Sequence, residues 1–561
     1  MRRLAILLLV VLIAASAAFA GGQGETEERA VAAADLELSS PGSMPIVQER
    51  VELDFLVNQH PLVIDYATNE ASLWLEEQTN VHINWTTVPS EGRTEKINII
   101  LASGDLPHVF YACRIDTKQE AQYGSEEKMF LPLNDYIDEH AAHFKKALTE
   151  FDYDVMGMIT SPDGMIYSLP TLSNCYHCFN SKKMWLNTAW LDNLGLDVPT
   201  TTDEFHEVLT AYKEQDANGN GDPDDEYPLI GGTTGVWNGV PELFLLNSFL
   251  FYPEQSYPFS VERHVATSVV DSPEYRDGLR YINALYREGL IYEASYTQDG
   301  NQVKKMMNNP GYTIVGAIPA GNIIGGISST YENSIQYEAI SPLEGPEGVQ
   351  YSLYNPYSAV YQGDFVITQE CPYPEVAFKW ADYLYDFEST MRVRYGVRDR
   401  DWRYAEPGEV GLDGEQAEVL IITPWGGTEP RNDNYVWIGP FFESLKLRLG
   451  RGVPSGTDPY TQGGLEILLY NATHDKMAPY QPDPSEVMSP IPVKYTIDES
   501  DQLLTMRTEI RNFVNESRVR FITGDLDLDR DWDSYLSQLE SLGLETWIEL
   551  YQTAYDRQYR R

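Results

Sequence analysis

The sequence predicts an α/β protein built on a largely parallel sheet, and three observations carry that reading. Strand-like and helix-like apolar spacings alternate between residues 51 and 111, the links between them are short, and 42% apolar with 12% aromatic residues supply a large core. At about 150 residues per domain, 561 residues make three or four units or two large lobes. Residues 51–57 alternate and then turn continuous, as a partly buried strand does. Helical spacing follows over 64–78, and 81–85 alternates again as a second strand. Residues 95–102 are helical, Ser103-Gly104-Asp105 breaks that helix, and Val109-Phe110-Tyr111 is a third strand. This order with short links demands right-handed crossovers, and ligands in such sheets collect beyond the C-terminal strand ends. Residues 190–194 and 202–215 read as helices, the second capped by Thr201 or Thr202. Pro374 suits the first turn of a helix over 374–386. Near the end, Trp532, Tyr535, Leu536 and Leu539 share one helical face, and Trp547, Leu550, Tyr551 and Ala554 another. Gly543 between them marks the turn.

Charge excludes one class of partner. The chain has 40 basic and 85 acidic residues, a formal charge of −45, and no run of Lys and Arg to break the pattern. Such a surface repels phosphate backbones, so nucleic acid is not a partner. Arg2 and Arg3, the apolar run over 4–15 and Ala18-Phe19-Ala20 form an export signal, with cleavage expected after Ala20. Residues 21–49 are Gly-, Glu-, Ala- and Ser-rich and read as a flexible tether. Four cysteines are too few for a disulfide framework; Cys175 and Cys178 form either a tight local disulfide or two buried thiols.

The most specific local signal is Asp216-Ala217-Asn218-Gly219-Asn220-Gly221-Asp222-Pro223-Asp224-Asp225-Glu226. Oxygen-bearing side chains at alternate positions, with Gly at the sixth, form the first half of a calcium loop. Tyr227 stands where a closing Glu belongs, so the expected ligands are Asp216, Asn218, Asn220, Asp222, Asp225 and Glu226, with Asp224 an alternative to either of the last two. The expected cofactor is therefore a structural calcium ion. A second acidic run, Asp525 to Asp533 at alternate positions, carries Arg530 where a turning Gly is needed and reads as helix capping.

Several segments together resemble a known family. Residues 185–196 and 199–205 running into the Asp216 loop, Ala102-Ser103-Gly104-Asp105-Leu106-Pro107, residues 163–170, Phe521-Ile522-Thr523-Gly524 and residues 551–557 are similar to the extracellular solute-binding proteins, family 1, in the branch of alginate-binding and LipO-type proteins. The resemblance implies a two-lobed periplasmic binding protein fold (type II), an α/β architecture with lobes joined by a multi-strand hinge. It implies a monomer that binds an oligosaccharide and works with the transmembrane subunits of an ABC permease. It also implies that the calcium lies away from the ligand. The expected division is 50–178 in the first lobe, 179–345 in the second, 346–410 back in the first and 411–561 in the second. Relatives carry a lipid-bearing Cys after the signal, where this chain has Gly21, so an exported, periplasmic or extracellular protein without that anchor is expected.

A sugar receptor needs aromatic platforms and planar polar groups on loops at strand ends. Tyr111, Arg114 and Asp116 follow the third strand, and Asn58, Gln59 and His60 the first. Trp237 and Asn238 follow a Gly-rich loop, and Trp402 and Trp425 are further candidates. Against this stand a secreted glycoside hydrolase, which needs two carboxylates about 5–10 Å apart, and a peptide receptor of the same fold. No G-x-S-x-G, H-E-x-x-H or P-loop is present, so no enzyme is expected.

Overall fold

The computed structural model describes residues 36–560 apart from 254–255, 325–326, 329 and 424–428. The expected export signal, most of the tether and Trp425 lie outside the described residues. Among the described residues no helix is long and apolar enough to cross a membrane.

The opening rhythm becomes β1 (Val51–Gln59), α1 (Glu70–Thr79), β2 (Val81–Pro89), α2 (Arg93–Ser103) and β3 (Val109–Tyr111). Asn69 caps α1 by accepting from the Ala71 amide, and Asn80 ends it in the left-handed region at φ 61°. β1 pairs in parallel with both β2 and β3. The sheet is completed by β4 (Leu169–Ser173), β9 (Val360–Ile367) and β10 (Phe442–Glu443), in the order β10-β4-β9-β3-β1-β2. Only β9 runs against its neighbours β3 and β4. The second sheet holds β5 (Met184–Asn187), β6 (Tyr227–Leu229), β7 (Val315–Pro319) and β8 (Tyr337–Ile340) in the order β8-β5-β7-β6.

The chain passes between the sheets through residues 174–183 and returns through 341–359. A later passage leads from β10 into α3 (Leu465–His474), whose Leu468 and Ala472 share a core with Trp185, Val315 and Tyr337 of the second sheet. The expectation that 411–561 belongs wholly to the second lobe is corrected here. Phe442 and Glu443 pair with Leu172 and Ser173 of the first sheet, and Arg431 bridges to Val63. A two-residue strand has no periodicity to read; its place is set by the unpaired edge of β4.

The C-terminal reading holds closely. Trp532–Leu542 and Leu544–Tyr559 are helices joined at Gly543, φ 88°, and bury Trp532, Tyr535, Leu539, Trp547, Tyr551 and Ala554. The acidic run before them caps in part: Asp527 accepts from the Asp529 and Arg530 amides at 2.9 Å and 2.8 Å in the turn that leads into the first of these helices, and Asp533 lies in its first turn, whereas Asp531 makes no side-chain cap bond and Asp529 binds Arg276 at 2.9 Å and Arg280 at 2.8 Å.

Candidate functional site

Strand direction gathers the functional loops. β1, β3 and β4 end at Gln59, Tyr111 and Ser173, and the first passage leaves from Ser173. It enters the second sheet at Met184, which pairs with Pro319 at the end of β7. The loops after β6 and β7 therefore lie beside the passage between the sheets.

Trp237 sits on the loop after β6 and is 44% exposed. Its carbonyl accepts from the Gly321 amide at 2.7 Å. A Cβ at Gly321 would meet the indole at 2.1 Å, so only glycine lets the ring lie there. The ring stands edge-on to His177 in the first passage, 6.2 Å between centroids. Asn238 next to it adopts φ 57°, and its buried Nδ2 has no hydrogen-bond partner.

Two cavities share Tyr395. One, of about 260 Å³, is lined by His60, Arg394, Arg431, Asn434 and Trp437 among others. The Arg394 guanidinium lies 3.7 Å from the centre of the Trp437 ring, fixing a partly exposed indole on the wall. Burial lowers the pKa of His60, so it presents a neutral imidazole. The other, of about 220 Å³, is lined by Leu412, Ile421, Leu465, Arg451 and Glu466.

Behind these cavities lies a buried charge network. Glu443 of β10 is fully buried and binds Arg394 at 3.3 Å and Arg448 at 2.9 Å, together with Arg451 and the Tyr395 hydroxyl. Glu466 binds Arg451 at 3.2 Å and Arg448 at 3.5 Å, and accepts from the Tyr176 hydroxyl at 3.2 Å. Burial pushes both carboxyls up, but the arginines outweigh it. Glu443 ends well below the usual range and Glu466 falls to about 2. Burial pulls His177 down to about 3, so the ring is neutral; its Nε2 faces Arg448 Nη2 at 3.1 Å. Cys175 and Cys178, flanking His177, form a disulfide. The three side chains bring their ligating atoms within 4.8 Å, but the sulfurs are bonded to each other.

Two sequence candidates are corrected. Tyr111 is fully buried among Phe55, Trp85, Trp380 and Tyr435, because the chain turns outward only after it. Trp402 is 1% exposed, packs on Phe387 and Tyr404, and donates to the Gly396 carbonyl. Gln59 donates to the His60 and Val63 carbonyls, shaping the turn that presents His60. Arg114 pairs with Asp364 at 3.0 Å and Asp116 caps the next turn; both line a separate cavity with Ile115, whose core lies on the α2 face of the sheet. Tyr111 and Val436 belong to the opposite core, so Arg114 and Asp116 do not join Trp437. Trp437, Arg394, Tyr395, Glu443, Arg448, Arg451 and Glu466 were not legible: Glu443, Arg448 and Arg451 share one short stretch, but nothing along it marks their burial or ties them to Arg394, Trp437 and Glu466.

The loop over 216–226 folds on itself away from these cavities. Gly219 and Gly221 take φ 72° and 92°. Asp216 accepts from the Asn220 amide at 3.0 Å and the Gly221 amide at 2.8 Å. The Asp225 carboxylate receives both the Asn218 and Asn220 side-chain amides at 2.8 Å, and Glu226 Oε1 accepts from the Asn218 amide at 3.3 Å. Glu226 Oε2 is buried without a partner, and burial helped by Asp225 and Asp216 raises its pKa. Asp222 accepts from the Asp224 amide, whereas Asp224 lines a neighbouring cavity.

Comparison with known proteins places this architecture. The chain is 26% identical over 524 residues to the fructooligosaccharide ABC transporter substrate-binding protein FusA of Streptococcus pneumoniae, covering 91% of each. The structure of FusA with kestose matches with a TM-score of 0.71 at 23% identity, over 91% of this chain and 99% of that one. An HMO-binding, ABC-transporter-associated solute-binding protein of Bifidobacterium longum infantis matches at 0.73 and 22%, with the same coverage. Solved neighbours also include an EF-hand mutant of FusA, at 0.69 and 23% over 91% and 99% of the two chains, and the alginate-binding protein AlgQ2 without calcium ion, at 0.61 and 20% over 93% and 100%. The fold is thus the type II periplasmic binding protein fold. Residues 61–390 match the sequence pattern of the bacterial extracellular solute-binding proteins, and the chain belongs to that family.

Proposed function

We propose that the protein captures an oligosaccharide between its two sheets and delivers it, chemically unchanged, to an ABC permease. The observation that carries this reading is the Trp437 indole fixed by Arg394 on the wall of a cavity edged by His60, Arg431 and Asn434. An aromatic face suits the C–H face of a pyranose or furanose ring, and the planar polar groups suit its hydroxyls. Trp237 and Asn238 offer a second platform from the other sheet. Closure of the lobes on the sugar shifts a pre-existing equilibrium, with the passages over 174–183 and 341–359 absorbing the rotation. The relatives are named as binding proteins, which supports a receptor over a hydrolase.

Titration of tryptophan fluorescence with kestose and a panel of neutral and acidic oligosaccharides tests this reading. Reversible saturation with no new product on chromatography is expected, with Trp437→Ala and Trp237→Ala each losing about tenfold in affinity, or about 1.4 kcal/mol. Release of shorter sugars, or saturation by peptides alone, would overturn it.

The loop over 216–226 fits a hard cation. Asp216, Asn218, Asn220, Asp225 and Glu226 already meet through hydrogen bonds, and the orphaned Glu226 Oε2 has no other partner to lose. Rotation of the two Asn amides turns oxygens to the place their nitrogens hold. A calcium ion there neutralises the clustered carboxylates and fixes the loop that follows residues 202–214. Asp222 is the sixth proposed ligand. Residues 1–20 direct export, and Gly21 supplies no thiol for lipid attachment.

A further inference from the structure

We propose that Glu466 is a positioning residue that latches the two lobes together, setting how far they open. Glu466 lies in the first turn of α3, and α3 is anchored in the core of the second sheet through Leu468 and Ala472. Its charge partners stand on the other side. Arg448 and Arg451 are both held by Glu443, which is a strand residue of the first sheet. The 3.2 Å and 3.5 Å contacts from Glu466 to these two guanidiniums therefore cross between the sheets. A third contact comes from the first passage, where the Tyr176 hydroxyl donates to the Glu466 carboxylate and to its carbonyl at 3.1 Å. One carboxylate thus gathers the first sheet, the second sheet and the segment connecting them.

The arrangement separates two jobs. Glu443 contacts all three guanidiniums within the first lobe, so Arg448 and Arg451 keep a carboxylate partner when Glu466 loses its charge. Arg448 and Arg451 are nearly buried while Glu466 is 26% exposed, which places the latch at the rim of the network and beside the 220 Å³ cavity it helps line. Lobe separation at this point exchanges charge-assisted hydrogen bonds for water without dismantling either core.

The test requires no ligand, so it stands whether or not the protein binds sugar. Spin labels are placed at Ser103→Cys, exposed at the end of α2, and at Asp192→Cys, exposed beside the second sheet. Distances between them are measured by pulsed electron resonance, with small-angle scattering of the unlabelled protein alongside. Glu466→Gln is expected to broaden and shift the distance distribution and to raise the radius of gyration, whereas Glu466→Asp, which keeps the charge, restores the parent distribution. Tyr176→Phe, which removes one neutral contact, shifts it less in the same direction and serves if Glu466→Gln does not fold. A distribution unchanged in both Glu466→Gln and Tyr176→Phe overturns the proposal. So does an equal shift in Glu409→Gln, which breaks the local Arg403–Glu409 pair within one short segment.

Discussion

Two concentrations of charge lie in this molecule, and they are built in opposite ways. The acids of the 216–226 loop are contiguous, exposed or half-exposed, and held by backbone amides within a few residues. Glu443 and Glu466 are separated in sequence from Arg394, from Ser173 and from Tyr176, and are held by three arginines instead. In the loop, burial, helped by neighbouring carboxylates, pushes the carboxyl of Glu226 up; in the network, the arginines outweigh burial and pull both carboxyls down. The loop offers its oxygens to the proposed cation; the network already contains its cations. On that proposal, an added ion would offset the crowded charge in one place as the arginines do in the other.

Breaking the network has the largest expected effect. Glu443→Gln leaves three buried guanidiniums facing a neutral amide, and a loss of about 3–5 kcal/mol is expected in urea unfolding. Acid acts next, through groups of the same region. Glu466 titrates near 2 when folded and near 4.5 when unfolded, so its contribution is complete above about 4.5 and is lost as pH falls toward 2. His177 is held neutral to about 3 against 6.5 when unfolded, so the unfolded chain takes up a proton first and stability falls over that interval too. Both groups send the melting temperature downward on acidification from pH 6.5, and Glu466→Gln should flatten the lower part of that curve.

Calcium sharpens the other half of the contrast. Added at 100 times its dissociation constant, it should stabilise the protein by about 2.7 kcal/mol, reversed by a chelator. Asp216→Asn should abolish the response, and a calcium-independent melting temperature in the parent protein would refute the site. The smallest effect belongs to Asp224→Asn. Its side chain lines the adjoining cavity, and the calcium response should change by less than about 0.5 kcal/mol.

Legibility in the sequence follows the same divide. Regular α/β alternation announced β1 to β3, and the faces of Trp532 and Trp547 announced the last two helices, because each pattern repeats within a dozen residues. Tyr111 and Trp402 misled for one reason: an aromatic residue beside a loop looks the same in sequence whether its ring faces a cleft or a core. Trp437 was passed over although Gly439 follows it closely, because nothing along the loop tells which way its ring faces. Its ring is held by Arg394, 43 residues earlier in the chain, whose guanidinium lies 3.7 Å from the ring centre.

By itself the sequence determined the α/β class, the tight turns of the 216–226 loop and the C-terminal helical pair, since all three rest on neighbours along the chain whose spacing fixes which side chains share a face or a turn. Only the tertiary structure decided which aromatics line a cavity, where residues 431–443 return to the first sheet, and which carboxylates meet arginines. Those outcomes depend on burial and pairing between distant segments, and the free energy of a buried charge is set by the partners that surround it.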